Sequence, residues 1–147
     1  MDALVAALAG VLAGAAISHG VEWLRRRQRR RAHRAALRAE IDYCQWRAET
    51  YQADDVAAPS YRLPTVTYTS SLPALLSDGV VSEPGVRALV AFFSEVETVN
   101  RGLDLVQTAR ERGDQQAIRA EYDRNLLKIR SLLALHRSAR EAADGHL

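Results

Sequence analysis

Apolar positions along this chain follow two regimes. From Ala3 to Leu24 they run almost unbroken (ALVAALAGVLAGAAISHGVEWL), with no charged side chain before Glu22. A helix rising about 1.5 Å per residue over that length crosses a hydrocarbon core of about 30 Å, so a transmembrane helix is expected over 3–24. Beyond it the apolar residues recur every three or four positions. Leu37, Ile41, Cys44, Ala48 and Tyr51 share one face of a helix expected over 32–54, and that face should be core. Tyr43 and Trp46 fall off this stripe and either widen it or mark a contact with another chain; widening is the preferred reading.

The pattern then breaks. Pro59 and Pro64 exclude a helix from the connector over 56–69, where Tyr61, Leu63, Val66 and Tyr68 are expected to pin an extended loop onto the helices. The β-like Thr65 to Thr69 has no partner strand and is read as loop. Ser70 or Ser71 should cap a short helix over 71–78 with Pro73 in its first turn, and Gly79 should end it. Ser82, followed by Pro84, opens a long helix over 83–112 whose stripe is Val86, Leu89, Val90, Phe93, Val96, Leu103 and Val106. Gly113 stops it and Asp114 caps the next, over 114–143, which carries Ile118, Tyr122, Leu126, Ile129, Leu132 and Leu133. The short turn makes these two helices antiparallel neighbours. The expected fold class is therefore all-α, with one N-terminal transmembrane helix, a polybasic segment over 25–34, and a small helical bundle over 32–147 built on a long antiparallel hairpin. Asn100 lies in the seam of that hairpin, where it either fixes register or bonds the connector loop; the loop is preferred because something polar must hold it.

Charge sharpens the picture of the N-terminus. The net charge is +2, but Arg25, Arg26, Arg27, Arg29, Arg30, Arg31 and Arg34 form one block. With those seven and the preceding Asp2 and Glu22 set aside, thirteen basic residues face sixteen acidic ones. The remainder is thus slightly acidic, which argues against a general nucleic-acid binder. By the positive-inside rule the block holds its flank in the cytoplasm and sends the N-terminus outward, and Trp23 stands where an interfacial aromatic anchor belongs. Each arginine near the surface also attracts anionic headgroups by about 1 kcal/mol. Within the span, Ala6, Gly10, Gly14 and Ser18 recur every four residues and would let a second helix approach closely. Alanine-rich composition also produces such spacing by chance.

Chemistry is thin. The sequence holds no glycine-rich phosphate loop, paired-cysteine metal motif or His-Glu-x-x-His helix, and His19, His33, His136 and His146 share no ligand spacing. The lone Cys44 has no histidine pattern beside it, and a single thiol fits a reducing compartment. Asp42, Glu49, Glu95, Glu97, Glu111, Glu121 and Asp123 stand among arginines as a mixed solvated surface. Arginine supplies the basic charge almost alone, Lys128 being the single lysine, which suggests a GC-rich genome.

Leu63-Pro64-Thr65 with Tyr68, then Leu72, Leu75 and Leu76, and later Phe92-Phe93, Val96, Glu97 and Asn100, resemble a pattern in small bacterial membrane-anchored helical proteins with an LPT-type loop and no assigned activity. Where those proteins often carry tryptophan after the loop motif, this chain has Tyr68. The resemblance implies that Leu63, Pro64, Tyr68 and Asn100 form one structural joint.

The expected function is a non-enzymatic, self-associating, single-pass protein of the bacterial inner membrane. It presents a cytoplasmic interaction module to membrane lipids and a protein partner, with no cofactor, metal, nucleic acid or small-molecule substrate. The alternative is a homo-oligomeric pore-forming or membrane-disrupting protein, with Ser18, His19 and Glu22 at the inner mouth of a channel. An enzyme would need its site assembled by other chains.

Overall fold

The computed structural model describes residues 2–53 and 62–145, and within its first helix the side chains from Gly14 onward, Ala16 excepted. There are four helices, α1 (Asp2–Ala53), α2 (Val66–Ser77), α3 (Glu83–Glu111) and α4 (Gln115–Asp144), and no strand among the described residues. The chain divides into two compact units, residues 1–32 and 33–147.

The second unit is a bundle of the lower part of α1 with α3 and α4, on which α2 is packed. Its core joins Leu37, Ile41, Cys44, Ala48 and Tyr51 of α1 to Leu89, Phe92, Phe93, Val96, Val99 and Leu103 of α3 and to Ile129, Leu132, Ala139, Ala142 and Ala143 of α4. Leu63, Leu72 and Leu75 fill the same core from the connector and α2. A smaller cluster of Val106, Ala109 and Ile118 closes the turn of the hairpin.

Local chemistry sets the ends of the hairpin. Ser82 accepts a hydrogen bond from the Gly85 amide at 3.2 Å, with Pro84 in the first turn, and Asp114 accepts from the Ala117 amide at 2.9 Å. At the end of α3, Gly113 takes φ +69°, and the amides of Gly113 and Asp114 return to the carbonyls of Arg110 and Ala109. This double closure satisfies carbonyls the helix would leave orphaned, and the left-handed backbone it needs favours glycine. The same closure ends α2 at Gly79.

α2 departs from the expectation. The helix starts at Val66 instead of 71, so Ser70 and Ser71 lie inside it and cap nothing. Pro73 lies in its interior rather than its first turn. The Ser70 hydroxyl turns back to the Val66 carbonyl, and Ser71, buried, meets His33 Nδ1 at 3.1 Å. Val66 is 76% exposed and pins nothing. The reason is tertiary: Thr65 makes no side-chain cap, but Glu40 of α1 brings its carboxylate to the open amides of the first turn. Helix propensities of Val and Thr differ from the best formers by less than about 1 kcal/mol, which a charged cap outweighs.

The α3–α4 seam is closest at Gly102. A Cβ there would fall 2.1 Å from Asn125 Oδ1, and Asn125 is itself buried. Gly102→Ala should therefore cost about 1–3 kcal/mol by overpacking, measured by urea denaturation. Asn125→Ala introduced on top of it should recover part of the loss.

Candidate functional site

Of the four residues expected to form a joint, Asn100 and Leu63 are bonded directly, while Pro64 and Tyr68 meet other residues of the bundle. Asn100 Oδ1 accepts from the Leu63 amide at 2.8 Å while its Nδ2 donates to the Leu63 carbonyl at 2.9 Å. One side-chain amide thus satisfies both polar groups of one buried residue, as a neighbouring strand would. Cys44 Sγ donates to the Pro64 carbonyl at 3.5 Å, and Tyr68 stacks on Phe93 with ring centroids 4.1 Å apart. Arg62 adds a two-point pair with Asp104 at 3.0 and 2.6 Å on the exposed side.

Glu40 completes the joint and has no sequence signature. It is 6% exposed, and its two oxygens accept from the amides of Thr67 at 2.9 Å and Tyr68 at 2.7 Å. An acid on an arginine-rich helix reads as surface; only the approach of the α2 N-terminus makes it a cap.

The Arg block is divided between the two units. In the first, Arg25, Arg26, Arg27, Arg29 and Arg31 are exposed and Arg30 is half-buried. Arg26 pairs with Glu22 at 2.5 Å, and the Arg27 guanidinium lies 5.2 Å from the ring of Trp23, itself 59% exposed. Ile17, Ser18, Val21 and Leu24 are exposed as well. Arg34 is a correction to the expectation of a lipid-facing block: it belongs to the bundle, where it donates to the Val80 carbonyl at 3.1 Å. It also lies so near the α4 C-cap that a Cβ at Gly145 would fall 2.8 Å from its guanidinium. A cation at a helix C-terminus is favourably placed against the dipole.

The expected membrane span has no support here. Among the described residues no helix is long and apolar enough to cross a membrane. Of the expected packing face, the side chains of Ala6 and Gly10 lie outside those described, as does the greater part of the apolar run, while Gly14 and Ser18 are exposed.

Tyr43 and Trp46 do not widen the core. They are 43% and 54% exposed on the outer side of α1, 5.6 Å apart by ring centroid, with the Arg47 guanidinium within 6 Å of both rings and of Tyr51. The signal for this face was present in the sequence as two aromatics displaced from the apolar stripe. The preferred reading, that they widen the core, fails because periodicity gives a phase and not a partner.

Among the described residues no three His, Cys, Asp or Glu side chains gather as a metal would require. The concavities along Ile17 to Arg30 lie on the flank of one helix, with no second wall to enclose a substrate. Asp42 holds His136 at 3.4 Å and also pairs with Arg140, a link between α1 and α4 that ties helices together. No family model matches the chain, and no curated protein or solved structure is similar to it.

Asn100→Ala should cost about 1–3 kcal/mol, because it leaves the Leu63 amide and carbonyl buried without partners; the midpoint of chemical denaturation reads the loss. Cys44 offers a second check. Burial, reinforced by the Glu40 carboxylate, pushes its thiol up to about 12 from 9.0. The folded state therefore holds this proton more tightly than the unfolded one, so the stabilising contribution is complete below about pH 9 and falls as pH rises towards 12. Iodoacetamide at pH 8 should leave native Cys44 unlabelled and modify it once urea unfolds the chain.

Proposed function

We propose that this chain is a single-pass, membrane-tethered, non-enzymatic interaction module. Residues 3–24 form the anchor, the arginines from Arg25 to Arg31 hold the cytoplasmic boundary, and the bundle over 33–147 is the presented domain.

The observation that carries the reading is the junction at Trp23. A run without charge from Ala3 to Val21 precedes it up to Glu22, large apolar side chains at Ile17, Val21, Trp23 and Leu24 stand exposed around it, and arginines follow at once. Exposed side chains of that size are costly in water at about 25 cal/mol per Å² and favourable in lipid. Trp23 over Arg27 suits the headgroup layer, where an aromatic body and a cation are both at home. The bundle supports an interaction role through its apolar core, its polar joints spent on structure, and its outward aromatic face.

Leu12→Arg places a charge near the middle of the run, where insertion scales assign about 2.5–3.5 kcal/mol against burial in the bilayer. Wild-type protein should stay with the membrane after alkaline carbonate washing, and Leu12→Arg should move a substantial part into the soluble fraction. Recovery of wild type in the carbonate supernatant would refute the anchor.

A further inference from the structure

We propose that the outer face of α1 in the bundle is a self-association surface, pairing with the same face of a second copy in parallel. The direction of pairing rests on the anchor described above, since copies held in one bilayer by their N-terminal runs meet with the same polarity.

The outward residues are spaced for such a seam. Ala36, Ala39, Tyr43, Trp46 and Thr50 follow intervals of three, four, three and four, the heptad spacing that keeps one stripe facing a partner helix. Four of them are exposed and Thr50 is half-buried, while the alternate stripe of the same helix, Leu37, Ile41, Cys44 and Ala48, is fully buried in the bundle. The helix therefore carries two apolar faces, and the bundle covers only one. Large aromatics on an otherwise small, flat strip are the side chains that dominate interface energy once desolvated.

Charge on the two flanks identifies the occupant. Arg47 lies two turns beyond Glu40, on the flank that meets α2, and its guanidinium lies against Tyr43 and Trp46. Glu49, exposed, marks the other flank two turns beyond Asp42, whose carboxylate is already engaged by Arg140 and His136 of α4. In a parallel pair about a two-fold axis along the helices, each flank faces the opposite flank of the second copy. Arg47 then meets the acidic edge twice, once on each side of the interface, with the aromatics stacked between. A strip whose edges carry opposite charge is complementary to itself in this arrangement, which is the condition for an isologous interface.

The test uses the full-length chain in mild detergent, with mass measured by light scattering on a sizing column. The wild type should be a dimer, and Trp46→Ala should raise its dissociation constant at least about tenfold, a loss of about 1.4 kcal/mol. Arg47→Glu and Glu49→Arg should each weaken the dimer, and the double exchange should restore most of it. Circular dichroism of each variant reports whether the bundle itself persists; these side chains are exposed or at the core's rim, so it should. Ala36→Cys should form an intermolecular disulfide with itself on mild oxidation, because parallel copies bring the two positions to the same level of the seam. The buried native Cys44 should not compete.

A monomeric wild type would overturn the proposal. So would a dimer that ignores Trp46→Ala and both charge reversals, or one lost only in Gly10→Leu, Gly14→Leu, which would move pairing to the apolar run. Failure of the carbonate experiment with a dimer retained would remove the anchor and leave the surface.

Discussion

A buried carboxylate cannot be left without partners, and the arrangement of this domain follows from how Glu40 finds its own. At 6% exposure its oxygens take the amides of Thr67 and Tyr68, the positions in the first turn of α2 that have no partner within the helix. That pair of bonds fixes where α2 begins, which residues of it face inward and how it lies against α1. Leu72 and Leu75 then reach the core, and Tyr68 settles on Phe93. Hydrogen bonds to an ionised group contribute about 1.5–3 kcal/mol each, enough to draw a helix out of a threonine-rich segment with weak propensity of its own.

The remaining polar groups of the interior follow the same rule of pairing across elements. Asn100 of α3 holds Leu63 by both its amide and carbonyl, Cys44 of α1 meets the Pro64 carbonyl, and His33 meets the buried Ser71. These contacts share a task, which is to hold residues 62–65 and α2 against α1 and α3. Among the described residues three buried side-chain atoms are exceptions without a hydrogen-bond partner: Arg34 Nε, Arg140 Nε, and Asn125 Oδ1 where Gly102 brings α3 and α4 together. The close approach of the two helices outweighs the unmade bond of Asn125.

The proposed function rests on surfaces. The bundle consumes one face of α1 and leaves Tyr43, Trp46 and their alanine neighbours outward. Residues 17–31 place large apolar side chains beside a band of arginines. The proposed tether and the proposed seam use two separate stretches of α1, which is why their tests separate cleanly.

The sequence by itself determined the all-helical class, the core stripe of α1, the hairpin of α3 and α4, and their caps at Ser82, Asp114 and Gly113. All of these rest on period, cap chemistry or a left-handed glycine, which act within a few residues. The pairing of Asn100 with the connector was legible too, because a polar residue in an apolar seam next to a proline-broken loop has few ways to be satisfied. The start of α2, the burial of Glu40, the inward turn of Arg34, the need for glycine at position 102 and the outward turn of Tyr43 and Trp46 were decided only by tertiary structure. Each depends on a group more than twenty residues away or on which side of a helix is already occupied, and periodicity along one helix carries neither.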